Sequence, residues 1–199
     1  MPKIVDHDTR REEIAQALWR VVRRDGIRAA SVRTVAAEAG WSAGAVRYYF
    51  PDQEGLLNFA MDLVSRRVQD RIAAIEHTGT LTEIVLRYLE EVIPFDSERQ
   101  AEFEIWLSFV AQAQAESGAE GLRKNLEPLQ EGLRGMCRSL LQSLSDAGDL
   151  KAGLDLDLEA ERLHAIIDGL SLHTAMQPSV STPARVREIL THHLNTLQS

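Results

Sequence analysis

Cysteine is almost absent: Cys137 is the only one in 199 residues. One thiol cannot close an internal disulfide, and it excludes zinc sites that draw on two or more cysteines. No uncharged apolar run approaches the roughly 18 residues that a membrane-spanning helix needs. The first twenty residues are charged where a secretory leader would be apolar. These absences lead us to expect an untargeted cytoplasmic chain with no membrane partner. Runs of alternating polar and apolar residues are also lacking, which argues against a sheet. Aromatics make up only 6% of the chain, so adjacent aromatics stand out where they occur. Positive charge is short as well: 22 Lys and Arg face 30 Asp and Glu, a net charge of −8. Taken over the whole chain, that balance argues against a polyanionic partner.

The distribution of charge reverses that argument. Residues 1–50 hold nine basic groups (Lys3, Arg10, Arg11, Arg20, Arg23, Arg24, Arg28, Arg33, Arg47) against six acidic ones (Asp6, Asp8, Glu12, Glu13, Asp25, Glu38). The head therefore carries +3 and the remainder −11. A basic head on an acidic body suits a protein that meets a polyanion at one end and is kept soluble at the other.

With 44% hydrophobic residues in helical spacing almost throughout, the fold class is all-α. Ile14, Leu18, Val21 and Val22 form one stripe of a first helix that ends basic and stops at Gly26. Ser31 is placed to cap a second helix, "VRTVAAEA", and Gly40 to end it in a left-handed turn. Ser42 then caps a third, "AGAVRYYF", with Val46 and Phe50 on its buried face and Ala43, Arg47, Tyr48 and Tyr49 turned outward. Two short helices joined by a tight glycine turn and packed on a longer one make the pattern of a helix-turn-helix. Pro51-Asp52 breaks the third helix and opens a long fourth one over 53–76, apolar at Leu57, Met61, Val64, Val68, Ile72 and Ile75. Further helices are expected at 81–92, 97–116, 119–146, 157–176 and 183–197, with Pro128 kinking or dividing the third of these.

The segment "SVRTVAAEAGWSAGAVRYYFPDQEGLL" resembles the N-terminal helix-turn-helix of TetR-type transcriptional regulators. "LDLDLEAERLHAIIDGLSLH" is similar to the branch related to betaine-pathway repressors. The resemblance implies a helix-turn-helix domain at 1–52 and an effector-binding and dimerisation domain at 53–199. It also implies a double-stranded operator as partner, and a small-molecule effector that misplaces the two heads. Ser31, Arg33, Thr34, Ser42, Ala43, Gly44, Arg47, Tyr48, Tyr49 and Gln53 are the expected DNA contacts. Two positions depart from the family pattern: Arg47 stands where many members carry a tyrosine, and Gln53 where a lysine usually opens the fourth helix. Chemistry supports the assignment independently. Small residues at a helix start let backbone amides approach phosphate, tyrosine hydroxyls donate from rigid arms, and an arginine forks onto a guanine edge.

In the body, Phe103, Trp106, Leu107 and Val110 form an apolar stripe that suits either core or the wall of an effector cavity. Phe109 and Glu104 are expected to lie off it. His164 and Asp168, four apart, supply polar groups to the same site; with His173 their spacing suggests a metal, but no further ligands are fixed, so neither metal nor cofactor is expected. His192-His193 points in two directions and makes a poor chelate. The last two helices carry wide apolar faces at Leu163, Ile166, Ile167 and Leu170 and at Val186, Ile189, Leu190, Leu194 and Leu197. Of these, Leu163, Ile167, Leu170, Val186, Leu190, Leu194 and Leu197 are the expected interface of a homodimer, since two recognition helices are needed to read a pseudo-palindrome. No nucleophile-elbow motif or phosphate-cradling glycine loop is present, so no catalytic residue is expected. The rival functions are a helical-bundle enzyme or metal protein with an incidental basic head, and a DNA-binding dimer without an effector.

Overall fold

The computed structural model describes residues 7–114 and 120–198, the side chains of 7, 8, 53, 112 and 120–125 excepted. Among the described residues there are nine α-helices: α1 (His7–Asp25), α2 (Val32–Ala39), α3 (Ala43–Tyr49), α4 (Gln53–Ala73), α5 (Leu81–Glu90), α6 (Ser97–Ala113), α7 (Glu120–Asp146), α8 (Leu156–Met176) and α9 (Pro183–Leu197). A short 3-10 turn at Ile27–Ala29 joins α1 to α2. The only extended pairing among the described residues is an isolated antiparallel bridge between Leu150 and Gln198. The chain divides into two compact units, Met1–Arg67 with Ala101–Asn125, and Val68–Gln100 with Leu126–Ser199. The first is thus larger than the 1–52 segment marked by the sequence pattern.

Local chemistry explains the helix boundaries within the first unit. Gly26 at φ 78° and Gly40 at φ 72° end α1 and α2 in the left-handed region that other residues enter at a cost. The Gly40 amide reaches back to the carbonyls of Ala36 and Ala37. Ser31, Ser42 and Asp52 each turn a side-chain oxygen onto a backbone amide of the first turn of the helix that follows, to Thr34, Ala45 and Gly55. Ile14, Leu18, Val21 and Val22 of α1 are buried, as are Val35 and Ala36 of α2, Val46 of α3, Phe50, and Leu57, Met61 and Val64 of α4. The Phe50 and Phe59 rings lie 4.5 Å apart, fixing the end of α3 to α4. Trp19 is buried, with the Arg67 guanidinium 4.1 Å over its ring.

In α6 the structure corrects the sequence-based stripe. Ala101, Ile105, Phe109 and Ala113 form the fully buried row, so Phe109, expected off the apolar face, belongs to its centre. Phe103 is buried beside that row, Trp106 and Val110 are half-buried, and Leu107 is 43% exposed. "FEIWLSFV" is apolar nearly all round, so periodicity alone could not select its inner face.

The second unit is a helical core of α5, the C-terminal part of α7, α8 and α9. Val85, Leu89 and Ile93 meet Cys137, Leu141 and Leu144, and these pack with Leu163, Ile167 and Leu170 and with Val186, Leu190, Leu194 and Leu197. The seven residues expected at a homodimer interface therefore fill this unit's own interior, each 7% exposed or less in one copy of the chain. Burying a leucine or isoleucine fully is worth about 1.5–3 kcal/mol, and the core uses these faces up. The outward side of α8 is what remains open, with Leu158 58%, Leu172 39% and Met176 68% exposed. Polar ties close the unit: Arg187 pairs with Glu90 across α9 and α5, the Lys151 amide donates to the Leu197 carbonyl at 2.9 Å, and Arg71 Nε reaches Glu91 at 2.9 Å. Pro128 does not divide α7. α4 stops at Ala73, short of residue 76, and the expected junction of α6 and α7 near 116–119 lies outside the described residues.

Candidate nucleic-acid interface

The turn before α2 is built by a reciprocal cap. Ser31 Oγ accepts from the Thr34 amide at 3.2 Å, while Thr34 Oγ1 accepts from the Ser31 amide at 2.8 Å and lies 2.6 Å from the Ala29 carbonyl. Both expected contacts Ser31 and Thr34 are thus half-buried, their hydroxyls engaged in holding α2 in place. Arg33, between them, is exposed. Glu38, at the other end of α2, accepts from Arg20 Nε at 2.7 Å and Arg24 Nη1 at 2.9 Å. The bonds from Arg20 and Arg24 hold the Glu38 carboxyl below the usual range, and bonds to Asp25 first and Glu38 second raise the Arg24 guanidinium; the Glu38 bonds tie α2 to α1.

On α3, Val46 faces inward and everything opposite it is open. Ser42, at the N-cap, is exposed with its Oγ 3.1 Å from the Ala45 amide. Gly44, Arg47 and Tyr48, spaced by three and four residues, are exposed on one face, Tyr48 at 75%. Arg47 makes no hydrogen bond or ion pair with the described residues, so its guanidinium fork is available to an external partner. Ala43 is half-buried, and Tyr49 is half-buried with its ring edge-on to Tyr48 at 5.3 Å and to Trp41 at 6.4 Å. Gln53 opens α4, and its side chain lies outside the described residues. The Arg10 guanidinium sits 5.0 Å over the Trp41 ring, which places one further cation beside the start of α3.

The residues expected to face an effector fall in both units. Phe103 and Trp106 of the first stack at 5.4 Å. In the second, His164 is buried with Nε2 3.5 Å from Oδ2 of half-buried Asp168. Burial raises the Asp168 carboxyl above the ordinary aspartate range, against the pull of the His164 ring. Cys137, in the core of the same unit, has its thiol pushed up to about 12 by burial first and by the Asp168 charge second. His193 is buried and held below the usual histidine range by desolvation, while His192 beside it is exposed. Among the described residues no three His, Cys, Asp or Glu side chains gather as a metal site.

Residues 14–59 match the family model for bacterial regulatory proteins of the tetR family, and residues 82–199 match the model described as BetI-type transcriptional repressor, C-terminal. The chain belongs to the TetR family. Its relatives include the HTH-type transcriptional regulator PksA of Bacillus subtilis, 38% identical over 198 residues, covering 99% of this chain and 94% of the relative. The fold is shared with a TetR transcription regulator from Haloarcula marismortui at 22% identity and a TM-score of 0.81, covering 96% and 100% of the two chains. It is also shared with the multidrug binding protein EbrR complexed with imidazole, at 26% identity and a TM-score of 0.66, covering 92% and 94%.

As a TetR-family protein, the chain is a DNA-binding transcriptional regulator with a helix-turn-helix, and not an enzyme. No described helix of this TetR-family chain is long and apolar enough to cross a membrane. Arg10 is not among the contacts expected from the sequence because its position beside α3 arises from helix packing and leaves no mark in local spacing.

Proposed function

We propose that this TetR-family regulator is a homodimeric, cytoplasmic repressor that binds a pseudo-palindromic operator and is released from it by a small-molecule effector. The observation that carries this reading is the exposed row Gly44, Arg47 and Tyr48 on a short helix held by the Ser42 cap, with Arg47 unengaged by the described residues. Arg47 reads a base edge in the major groove; Ser42, Ala43, Gly44, Tyr48, Tyr49, Arg33 and Gln53 hold the flanking phosphates, and Ser31 and Thr34 act by fixing α2. In this division of labour residues 1–52 recognise the operator and residues 53–199 bind the effector and dimerise.

The dimer forms through the outward side of α8. Leu158, Ala165, Leu172 and Met176 recur there at heptad-like spacing with Gly169, and the small residues at the centre allow two such helices to approach closely. The effector is bound within the body, with either the α6 side chains Phe103, Trp106, Leu107 and Val110 or the α8 pair His164 and Asp168 as its contacts. The imidazole complex of EbrR supports small-molecule binding on this fold. Effector and operator oppose each other by linkage, each favouring an arrangement that binds the other less well, and α4 carries the change between head and body.

Selection of an operator from random DNA, followed by footprinting and a salt titration, tests the reading. The expected footprint has two-fold symmetry with half-sites about one helical turn apart, and log affinity falls with log salt by about 0.9 for each phosphate neutralised. A flat salt response or a single asymmetric site would refute it.

A further inference from the structure

The arginines of the head differ in what holds them. Arg20 and Arg24 spend their charge inside the unit, on Glu38 and Asp25. Arg10 does not: among the described residues it makes no hydrogen bond or ion pair, although exposed Glu13 stands one turn along α1. Its guanidinium lies instead 5.0 Å over the Trp41 ring. Arg10 is the fourth residue of α1, and a cation in the first turn of a helix opposes the positive end of the macrodipole. Neither a carboxylate nor the helix itself therefore supplies this cation with negative charge.

The seat beneath it is rigid. Trp41 follows Gly40 in the turn between α2 and α3, its amide donates to the Ala36 carbonyl at 2.8 Å, and the next residue, Ser42, caps α3. The half-buried indole is edge-on to Tyr49 at 6.4 Å, and Tyr49 is edge-on to Tyr48 at 5.3 Å. Arg10, Trp41, Tyr49 and Tyr48 thus form one row that runs from α1 to the open face of α3. Stacking occupies the flat face of a guanidinium and leaves the N–H donors around its edge free. It also restricts a side chain that is otherwise costly to order. A recognition helix fills the major groove, so a cation on the neighbouring helix beside it meets the phosphates that flank the groove.

We infer that Arg10 is a phosphate contact of the operator complex and that Trp41 is its positioning residue, holding the guanidinium edge toward the DNA backbone. This rests on the DNA-binding face of α3 described above and extends it to α1.

Fluorescence anisotropy with an operator selected from random DNA, over a series of salt concentrations, tests it on the full chain. Losing one phosphate contact in each half-site, Arg10→Ala is expected to flatten the slope of log affinity against log salt by about 1.8 units. The same loss weakens binding about 60-fold at about 0.1 M salt, alike on every sequence. Arg10→Lys keeps the charge and recovers most of the slope. Arg11→Ala removes an equal charge one residue away, where the guanidinium lies 6.0 Å over the Phe59 ring, and changes the slope less than half as much. Trp41→Leu unseats Arg10 and weakens binding about 5-fold, and Trp41→Phe recovers part of that. Arg10→Ala then costs less in the Trp41→Leu background than in the parent, a coupling that a merely structural tryptophan would not show. If Trp41→Leu does not fold, the Arg10 and Arg11 variants carry the test. An unchanged slope in Arg10→Ala, an equal loss in Arg11→Ala, or a loss confined to some sequences overturns the inference. Additive effects of Arg10→Ala and Trp41→Leu remove the positioning role of Trp41. A parent with a steep salt response that Arg10→Ala matches removes this contact alone; a parent with a flat response removes the DNA-binding face of α3 with it.

Discussion

Replacing Arg47 with alanine isolates the one unengaged cation on the exposed face of α3. Arg47 is exposed and makes no bond to the described residues, so its loss leaves the fold within about 0.5 kcal/mol of the parent. Any change in operator binding then belongs to the interface. A bidentate contact to the O6 and N7 of guanine contributes about 1–3 kcal/mol of discrimination. Two half-sites of a symmetric operator double this to about 2–6 kcal/mol, since well-separated positions add. The assay is binding of parent and variant to an operator library at two salt concentrations. The expected result is relaxed preference at one symmetric pair of positions with the salt slope unchanged. If the variant instead weakens on all sequences alike and the slope falls by about one unit per contact, Arg47 holds phosphate. Unchanged affinity and preference would refute any role for Arg47 in DNA binding and, with it, the assignment of this face.

Other substitutions bear on the supports. Ser31→Ala removes one half of the reciprocal cap on α2 and should cost about 1 kcal/mol in denaturant unfolding; an unchanged midpoint would show that Thr34 suffices. Leu172→Glu with Met176→Glu should yield folded monomers in sedimentation, because both side chains lie on the open side of α8. Leu194→Glu should unfold the protein, at a cost of about 4 kcal/mol or more, since it places an unpaired charge in the core; a folded monomer from that variant would restore the interface first expected. Cys137, whose thiol is raised to about 12, should resist alkylation at about pH 8 in the native protein and react after unfolding. Rapid native labelling would mean that α7 and α8 part readily.

Local signals determined the linear plan of this chain. The Ser31 and Ser42 caps, the left-handed Gly26 and Gly40 and the Pro51-Asp52 break act within a few residues, so their effect is written in the sequence, and the boundaries of α2 and α3 fall where those residues put them. The outward placement of Arg47 and Tyr48 was legible because one buried valine, Val46, fixes the rotation of a helix of seven residues, whereas Ala43 and Tyr49, also expected outward, are half-buried against neighbours. Where a helix is apolar on more than one side, that information runs out. α6 buries Ile105 and Phe109 and leaves Leu107 open, and α8 turns Leu163, Ile167 and Leu170 into its own unit while Leu158, Leu172 and Met176 face out. Both sides of each helix satisfy the same periodicity, and only the neighbours available in three dimensions decide which is covered. The position of Arg10 over Trp41 and the burial of His164 Nε2 and Thr174 Oγ1 without a hydrogen bond likewise depend on elements far apart in the chain, whose packing no local pattern encodes.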